Sequence, residues 1–111
     1  MRYTGTMLDA LLPNWITRVV VALEPISMRL GADKLAALCR GVLCIEPDES
    51  TCFIFANRQK DMLLMYFRAP GGNEITMKRL DKGAFILPAP VESGAPYVIM
   101  RPAMLPRLFR A

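Results

Sequence analysis

The chain has 111 residues, of which 53% are hydrophobic, and a net charge of +4, so its composition allows one domain with a single core. Its apolar runs are shorter than the roughly 18 residues of a membrane helix, and Asp9 and Pro13 interrupt the N-terminus, which argues against a membrane span and a signal peptide. The chain has no histidine, and Cys39, Cys44 and Cys52 are spaced unlike a zinc site, so we expect reduced thiols and no metal or cofactor. Together these features predict a soluble, cytoplasmic protein.

The first two predicted elements are a strand and a helix. A β-branched run over residues 17–23 is typical of a buried strand inside a sheet. Over residues 32–43, apolar side chains recur at the spacing of one helical face, which predicts an amphipathic helix. That face consists of Leu35, Leu38, Cys39, Val42 and Leu43. Gly31 and Asp33 mark the start of the helix, where we expect the carboxylate to satisfy free backbone N–H groups.

Three strands are predicted in succession, over residues 52–56, 63–68 and 74–80. The last two are joined by the connection 69–73, Ala-Pro-Gly-Gly-Asn, whose proline and glycines suit a tight connection. Consecutive strands with short connections pair antiparallel, so the three form a β-meander. In the last strand Ile75 and Met77 alternate with polar side chains, which predicts that one face of the strand is covered and the other meets solvent.

The C-terminal part is predicted to contain an extended piece over residues 84–90, a strand over 97–100 and a short helix over 102–110. Pro106 weakens that helix, because proline lacks a backbone N–H group. The predicted fold class is therefore α+β: an antiparallel β-meander packed against one amphipathic helix, with a short C-terminal helix.

Positive charge is concentrated in the second half of the chain, since residues 1–50 carry a net charge of −1 and residues 51–111 carry +5. Such asymmetry indicates a polyanionic partner, and a solvated basic face is the alternative. In the predicted meander the loop 57–61 and the end of the third strand lie at the same edge. We expect five cations to gather there as a cationic rim that binds phosphate groups. The rim consists of Arg58, Lys60, Lys78, Arg79 and Lys82.

Catalytic groups are few. Asp61, Glu74 and Asp81 lie around the meander, and three carboxylates could hold the magnesium ions of a nuclease. Their spacing is not diagnostic, and Asp61 and Asp81 each lie beside a lysine, so we expect surface ion pairs and a non-catalytic protein. The glycines at 71 and 72 lack the following GK[ST] of a phosphate-binding loop.

Three blocks of sequence occur in order: MRLGADKLAAL at 28–38, FIFANRQKD at 53–61 and KRLDKGAFILP at 78–88. In order and spacing they resemble the small accessory protein, often called TnpB or the second open reading frame product, of the insertion-sequence family sixty-six. The resemblance implies a single domain over residues 17–110, preceded by a divergent segment, 1–16. An RNA-guided nuclease shares the name TnpB, but this chain is too short to be that enzyme.

The resemblance implies participation in transposition of a bacterial mobile DNA element, beside a separate, larger transposase that carries the catalytic residues. We expect a non-catalytic accessory protein that contacts DNA at the element ends, the transposase, or both. Asn57 would add polar contacts to those of the cationic rim. The alternative is a protein-interaction module without DNA contact. Five methionines of the chain fit either a core or an adaptable interface of such a module. They are Met62, Met65, Met77, Met100 and Met104.

Overall fold

The structure, a computed structural model, describes residues 12–109, without the side chain of Phe109. Most of the predicted N-terminal segment, residues 1–11, and residue 110 of the predicted C-terminal helix lie outside the described residues. The elements in chain order are β1 (Arg18–Ala22), α1 (Ala32–Gly41), β2 (Thr51–Ala56), β3 (Met62–Ala69), β4 (Gly72–Arg79), β5 (Tyr97–Met100) and a 3-10 helix (Pro102–Phe109).

The five strands form one mixed sheet in the order β4-β3-β2-β1-β5. β2, β3 and β4 pair antiparallel in succession, which confirms the predicted β-meander. β1 runs parallel to β2, with Val20 opposite Phe53, and α1 lies in the crossover that a parallel pair requires. β5 pairs antiparallel with β1. The α+β class is confirmed, and β1 lies inside the sheet as predicted.

α1 covers one side of the sheet, which we call the helix face. Leu35 and Cys39 of α1 pack in one buried cluster with Phe53, Phe55 and Tyr66 of the sheet. The Phe53 and Tyr66 rings lie 6.2 Å apart between centroids. Burying one such side chain contributes about 1.5–3 kcal/mol, so this cluster supplies much of the free energy that holds the helix on the sheet.

The chain after β4 covers the opposite side, which we call the tail face. Phe85, Leu105 and Leu108 pack there in a second buried cluster with Ile54 and Met65. The predicted fold contained one helix on the sheet and did not include this second layer. Because both sides of β1, β2 and β3 are covered, these strands carry apolar residues at nearly every position instead of alternating ones.

The predicted C-terminal helix is present as a 3-10 helix with Pro106 inside it. A 3-10 helix has poorer hydrogen bonds than an α-helix, and Pro106 removes one further donor. Burial of Leu105 and Leu108 therefore holds this segment in place. Within residues 12–109 no helix is long and apolar enough to cross a membrane.

α1 ends at Gly41, two residues before the predicted end, and this corrects the predicted apolar face. Leu43 is buried, but the side chain of Val42 is 56% exposed. The chain leaves the helical path because Cys44 adopts a left-handed φ of 59° and the N–H of Ile45 donates to the carbonyl of Cys39 at 2.8 Å. At the other end, Gly31 caps the helix without a side-chain hydrogen bond, and Asp33 lies in the first turn.

β4 departs from the prediction in its burial. Ile75 and Met77 share the helix face, as the alternation predicts, but they are 37% and 52% exposed. The buried cluster under α1 includes residues of β1, β2 and β3 and none of β4. The helix is therefore too narrow to cover the outer strand, and the apolar side of β4 meets solvent within the described part of the chain.

Candidate functional site

The loop between β2 and β3 is fixed by the side chain of Asn57. Its Oδ1 accepts hydrogen bonds from the backbone N–H groups of Asp61 and Met62, both at 3.1 Å, and its Nδ2 donates to Asp61 Oδ1 at 2.6 Å. The N–H of Lys60 donates to the carbonyl of Asn57, and Lys60 adopts a left-handed φ of 60°. These bonds close a tight loop and present Arg58 and Lys60 on its outer side, where both are exposed.

Two backbone hydrogen bonds join this loop to the chain that follows β4. The N–H of Leu80 donates to the carbonyl of Asp61 at 2.8 Å, and the N–H of Phe85 donates to the carbonyl of Lys60 at 2.7 Å. Met62 and Arg79 are direct partners in the β3-β4 ladder. The structure thus places the loop 57–61 and the turn that contains Lys82 at one corner of the sheet.

The five rim cations differ in their surroundings. Arg79 lies 3.7 Å from Asp61; the Arg79 side chain is exposed and that of Asp61 is partly buried. Arg58, Lys60, Lys78 and Lys82 form no ion pair with another residue in 12–109. Within the described chain, four of the five cations are therefore available to an external anion.

The rim is also divided between the two sides of the sheet. Lys78 is the ladder partner of Leu63 and lies on the tail face, whereas Arg79 is the partner of Met62 and lies on the helix face. Successive strand residues point to opposite sides, so these two neighbours present their charges on opposite sides of the sheet. The structure brings Arg58, Lys60, Arg79 and Lys82 to one corner and directs Lys78 to its tail-face side.

An open cleft of about 360 Å³ lies beside the cationic loop. Its walls are Pro25, Ile26 and Ser27 on one side and Asn57, Arg58 and Gln59 on the other. The N–H of Ile26 donates to the carbonyl of Ala56 at 3.0 Å and holds the two walls together. This contact joins distant parts of the chain, and no local pattern in the sequence indicated it.

Asn57 has a structural role besides the DNA contact predicted for it. Three of the hydrogen-bonding positions of Asn57 are used within its own loop, which leaves one amide hydrogen for any further contact. The spacing N-x-x-x-D before a strand was the available signal, because Asn side chains commonly bond backbone groups a few residues ahead. Asp61 orders the loop together with Asn57 and Arg79.

The three carboxylates of the magnesium hypothesis are dispersed. Asp61 lies beside Leu80 at one end of the β3-β4 ladder, and Glu74 is opposite Phe67 near the other end. The two positions are six residues apart along the strand, which corresponds to about 20 Å. Among residues 12–109 no three His, Cys, Asp or Glu side chains are placed to share a metal ion.

The three cysteines are all free thiols. Cys39 and Cys52 are buried in the two core clusters, and burial raises the pKa of each thiol to about 12. Cys44 is exposed after the end of α1. The buried pair behaves as small apolar core residues rather than as a reactive site.

Comparison with known proteins adds a family match. A family model described as "IS66 Orf2 like protein" matches residues 17–110, which include every described element from β1 to the 3-10 helix. The uncharacterized protein y4jC of Sinorhizobium fredii is 33% identical over 83 residues, covering 75% of this chain and 70% of that protein. The uncharacterized protein y4hO of the same organism is 33% identical over 88 residues, covering 79% and 74%. No solved structure matches the chain.

Proposed function

Because the chain belongs to the family of IS66 Orf2-like proteins and has an accessory role in insertion-sequence transposition, we propose that its cationic rim binds DNA phosphates. On this proposal the protein is non-catalytic, acts in the bacterial cytoplasm, and holds DNA at the element ends for the separate, larger transposase. Strand cleavage is then the task of the transposase, and this chain supplies a charged surface.

The observation that carries the proposal is the set of rim cations without an internal partner. Arg58, Lys60 and Lys82 are exposed and lie on backbone that is hydrogen-bonded at Asn57, Leu80 and Phe85. Each phosphate that a cation neutralises releases condensed counterions, which favours binding without any requirement for base sequence. A loop that is already ordered loses little conformational entropy on binding.

Salt dependence tests the DNA contact. The affinity of the whole chain for duplexes with and without the element end is measured by fluorescence anisotropy over a range of salt concentrations. The double variant Arg58→Ala, Lys82→Ala should bind more weakly and lose about 1.8 from the slope of log K against log salt, since each phosphate contact contributes about 0.9. A tighter complex with the element-end duplex would extend the proposal from phosphate contact to end recognition.

Arg68→Ala is the matched control for the single variant Arg58→Ala, which should lose about 0.9 from the slope. Both substitutions remove one exposed arginine, but Arg68 pairs with Asn73 at the opposite end of β3 from the rim. Arg68→Ala should leave the slope nearly unchanged. Equal losses in the two variants, affinity that ignores salt, or absence of binding at low salt would each contradict phosphate contact at the rim.

A protein-interaction module without DNA contact is the second candidate, and the exposure of Met77 favours it. Met65 is buried in the core, whereas Met77 is 52% exposed on the helix face of β4. If this candidate is correct, co-purification with the transposase should survive high salt and the double variant Arg58→Ala, Arg79→Ala. Loss of the complex under both conditions would instead favour a charge-dependent association.

A further inference from the structure

β4 has a free outer edge within the described chain. It is the last strand on its side of the sheet, it is eight residues long, and no other strand of residues 12–109 pairs with its outer side. Its apolar residues Ile75 and Met77 are exposed. Long edges with exposed apolar side chains favour pairing with a further strand.

The hydrogen bond from the N–H of Leu80 to the carbonyl of Asp61 shows which backbone groups point outward. In an antiparallel ladder the directly opposite residues alternate between pairs that exchange hydrogen bonds and pairs that do not. Asp61 and Leu80 continue the β3-β4 register, so Lys78, Thr76 and Glu74 direct their N–H and C=O groups toward β3. The outward groups therefore belong to the residues between them: Asn73, Ile75, Met77 and Arg79.

We propose that β4 pairs antiparallel with β4 of a second copy of this chain, about a twofold axis at Thr76. This arrangement joins two five-stranded sheets into one continuous sheet. Ile75 lies opposite Met77 of the second copy in a hydrogen-bonded pair, as the outward groups require. On the tail face, Glu74 lies opposite Lys78 of the second copy.

Charge complementarity selects both the partner and the register. The twofold axis creates two Glu74–Lys78 pairs, and opposite charges directly across two strands stabilise the pairing. Two neighbouring registers also satisfy the outward groups, one centred on Ile75 and one centred on Met77. The first would place Glu74 opposite Thr76 and the second would place Lys78 opposite Thr76, so neither pairs Glu74 with Lys78. The sequence of β4 is therefore complementary to itself in one register.

The apolar side of the same strand supports this pairing. On the helix face Ile75 and Met77 of each copy form two adjacent cross-strand apolar pairs, which cover surface that α1 leaves exposed. Arg79 keeps Asp61 of its own chain as an ionic partner. The pairing thus adds apolar contact and hydrogen bonds without disturbing the loop.

Disulfide trapping tests the register. In a Cys44→Ser background, which removes the exposed thiol, we expect Thr76→Cys to form a covalent dimer rapidly under mild oxidation. At the axis the two Cα atoms lie about 4.5 Å apart, within the range that a disulfide spans. Met77→Cys and Ile75→Cys are matched controls. In this register each of these residues lies diagonal to the same residue of the second copy, at about 7–8 Å, which is too far for a disulfide to form readily. Faster trapping at residue 75 or 77 than at residue 76 would overturn the proposal.

Charge reversal tests the partner without any DNA in the assay. Glu74→Lys and Lys78→Glu should each raise the dissociation constant of the dimer by about tenfold, as judged by sedimentation velocity, because each creates two like-charge pairs. An equimolar mixture of the two variants should restore association, since every pair across the axis then has opposite charges. A wild-type chain that stays monomeric at high concentration and low salt, or a mixture that associates no better than its components, would overturn the proposal.

Discussion

β2 and β4 belong to the same meander and are separated by one strand, yet their surroundings are opposite. All six residues of β2 are buried, whereas no residue of β4 is fully buried. Both strands have hydrogen-bonded neighbours, so the ladder itself does not explain the difference. The difference in burial comes from the layers on the two sides of the sheet. α1 and the chain after β4 cover β1, β2 and β3 but do not extend over β4.

This difference in burial separates the strands that stabilise the fold from the surface that we propose binds partners. The covered strands bury large apolar side chains on both sides, and little else would be tolerated there. Outside the covered strands, exposed cations such as Arg58 and Lys82 keep their hydration, so the fold bears no desolvation cost for either. The proposed contacts with DNA and with a second copy both lie in this uncovered region.

Truncation of an aromatic residue in β2 should give the largest difference between the regions. Phe53→Ala leaves a cavity beneath α1 and should lower the free energy of unfolding by about 3–5 kcal/mol. Met77→Ala on the exposed side of β4 should change it by less than about 0.5 kcal/mol at protein concentrations too low for association. Urea denaturation followed by circular dichroism measures both. Similar losses in the two variants would show that β4 is covered after all.

Most of the strands were predictable because their signals are local. The β-branched run of β1 and the Pro70-Gly71 turn specify elements without reference to the rest of the chain. The parallel pairing of β1 with β2, the cover on the tail face and the exposure of Ile75 were not predicted. Each depends on which distant segment packs on which side of the sheet, and a hydrophobic pattern shows only that a side is apolar.

The candidate site was predictable to a similar extent. A meander returns its loop and the end of its third strand to one edge by topology, so the approach of Lys60 to the chain after Arg79 needed no side-chain detail. The opposite orientations of Lys78 and Arg79 also follow from strand geometry. The hydrogen bonds of Asn57 were missed because the residue was considered only as a contact to DNA. The cleft beside Ile26 depends on a long-range contact.

Thiol labelling compares the interior with the surface directly. Cys44 should react with a thiol reagent at least about a hundredfold faster than Cys39 or Cys52, since a buried thiol reacts only after local or global opening. The pKa of about 12 at Cys39 and Cys52 further suppresses their thiolate forms near neutral pH. Mass spectrometry over time should show one fast and two slow labels, and Cys44→Ser should remove only the fast one. Fast labelling at Cys52 would contradict a closed interior.

Loss of the Asn57 side chain should lower the free energy of unfolding by less than Phe53→Ala and by more than Met77→Ala. Asn57→Ala removes three hydrogen bonds and leaves the N–H groups of Asp61 and Met62 without this acceptor, which should lower the free energy of unfolding by about 1–3 kcal/mol. Gln59→Ala, an exposed control in the same loop, should change it by less than about 0.5 kcal/mol. If Asn57→Ala is as stable as Gln59→Ala, the side chain does not order the loop.

The smallest effect is expected at Asp48, on the turn that leads into β2. Asp48 is exposed, and the slight desolvation by nearby protein atoms raises the pKa of its carboxyl group, but hydrogen bonds from Thr51 and Ser50 outweigh that effect, so the pKa lies below its ordinary value of 3.8. Ser50 donates from both its backbone N–H and its hydroxyl, at 2.9 and 3.0 Å. A carboxyl group with a lowered pKa in the folded state stabilises the fold above its unfolded pKa. That stabilisation is lost as the pH falls through the folded value.

Asp48→Asn should therefore lower stability slightly at neutral pH and reduce the loss of stability below about pH 4. Glu49→Gln is the matched control, because Glu49 is exposed and forms no hydrogen bond or ion pair with another described residue. Thermal unfolding at a series of pH values measures both variants. Glu46 keeps its own acid dependence in each of them, since the hydrogen bond from Arg40 lowers its pKa. The difference between the two variants thus isolates Asp48, and identical pH profiles would show that its hydrogen bonds contribute nothing to the turn before β2.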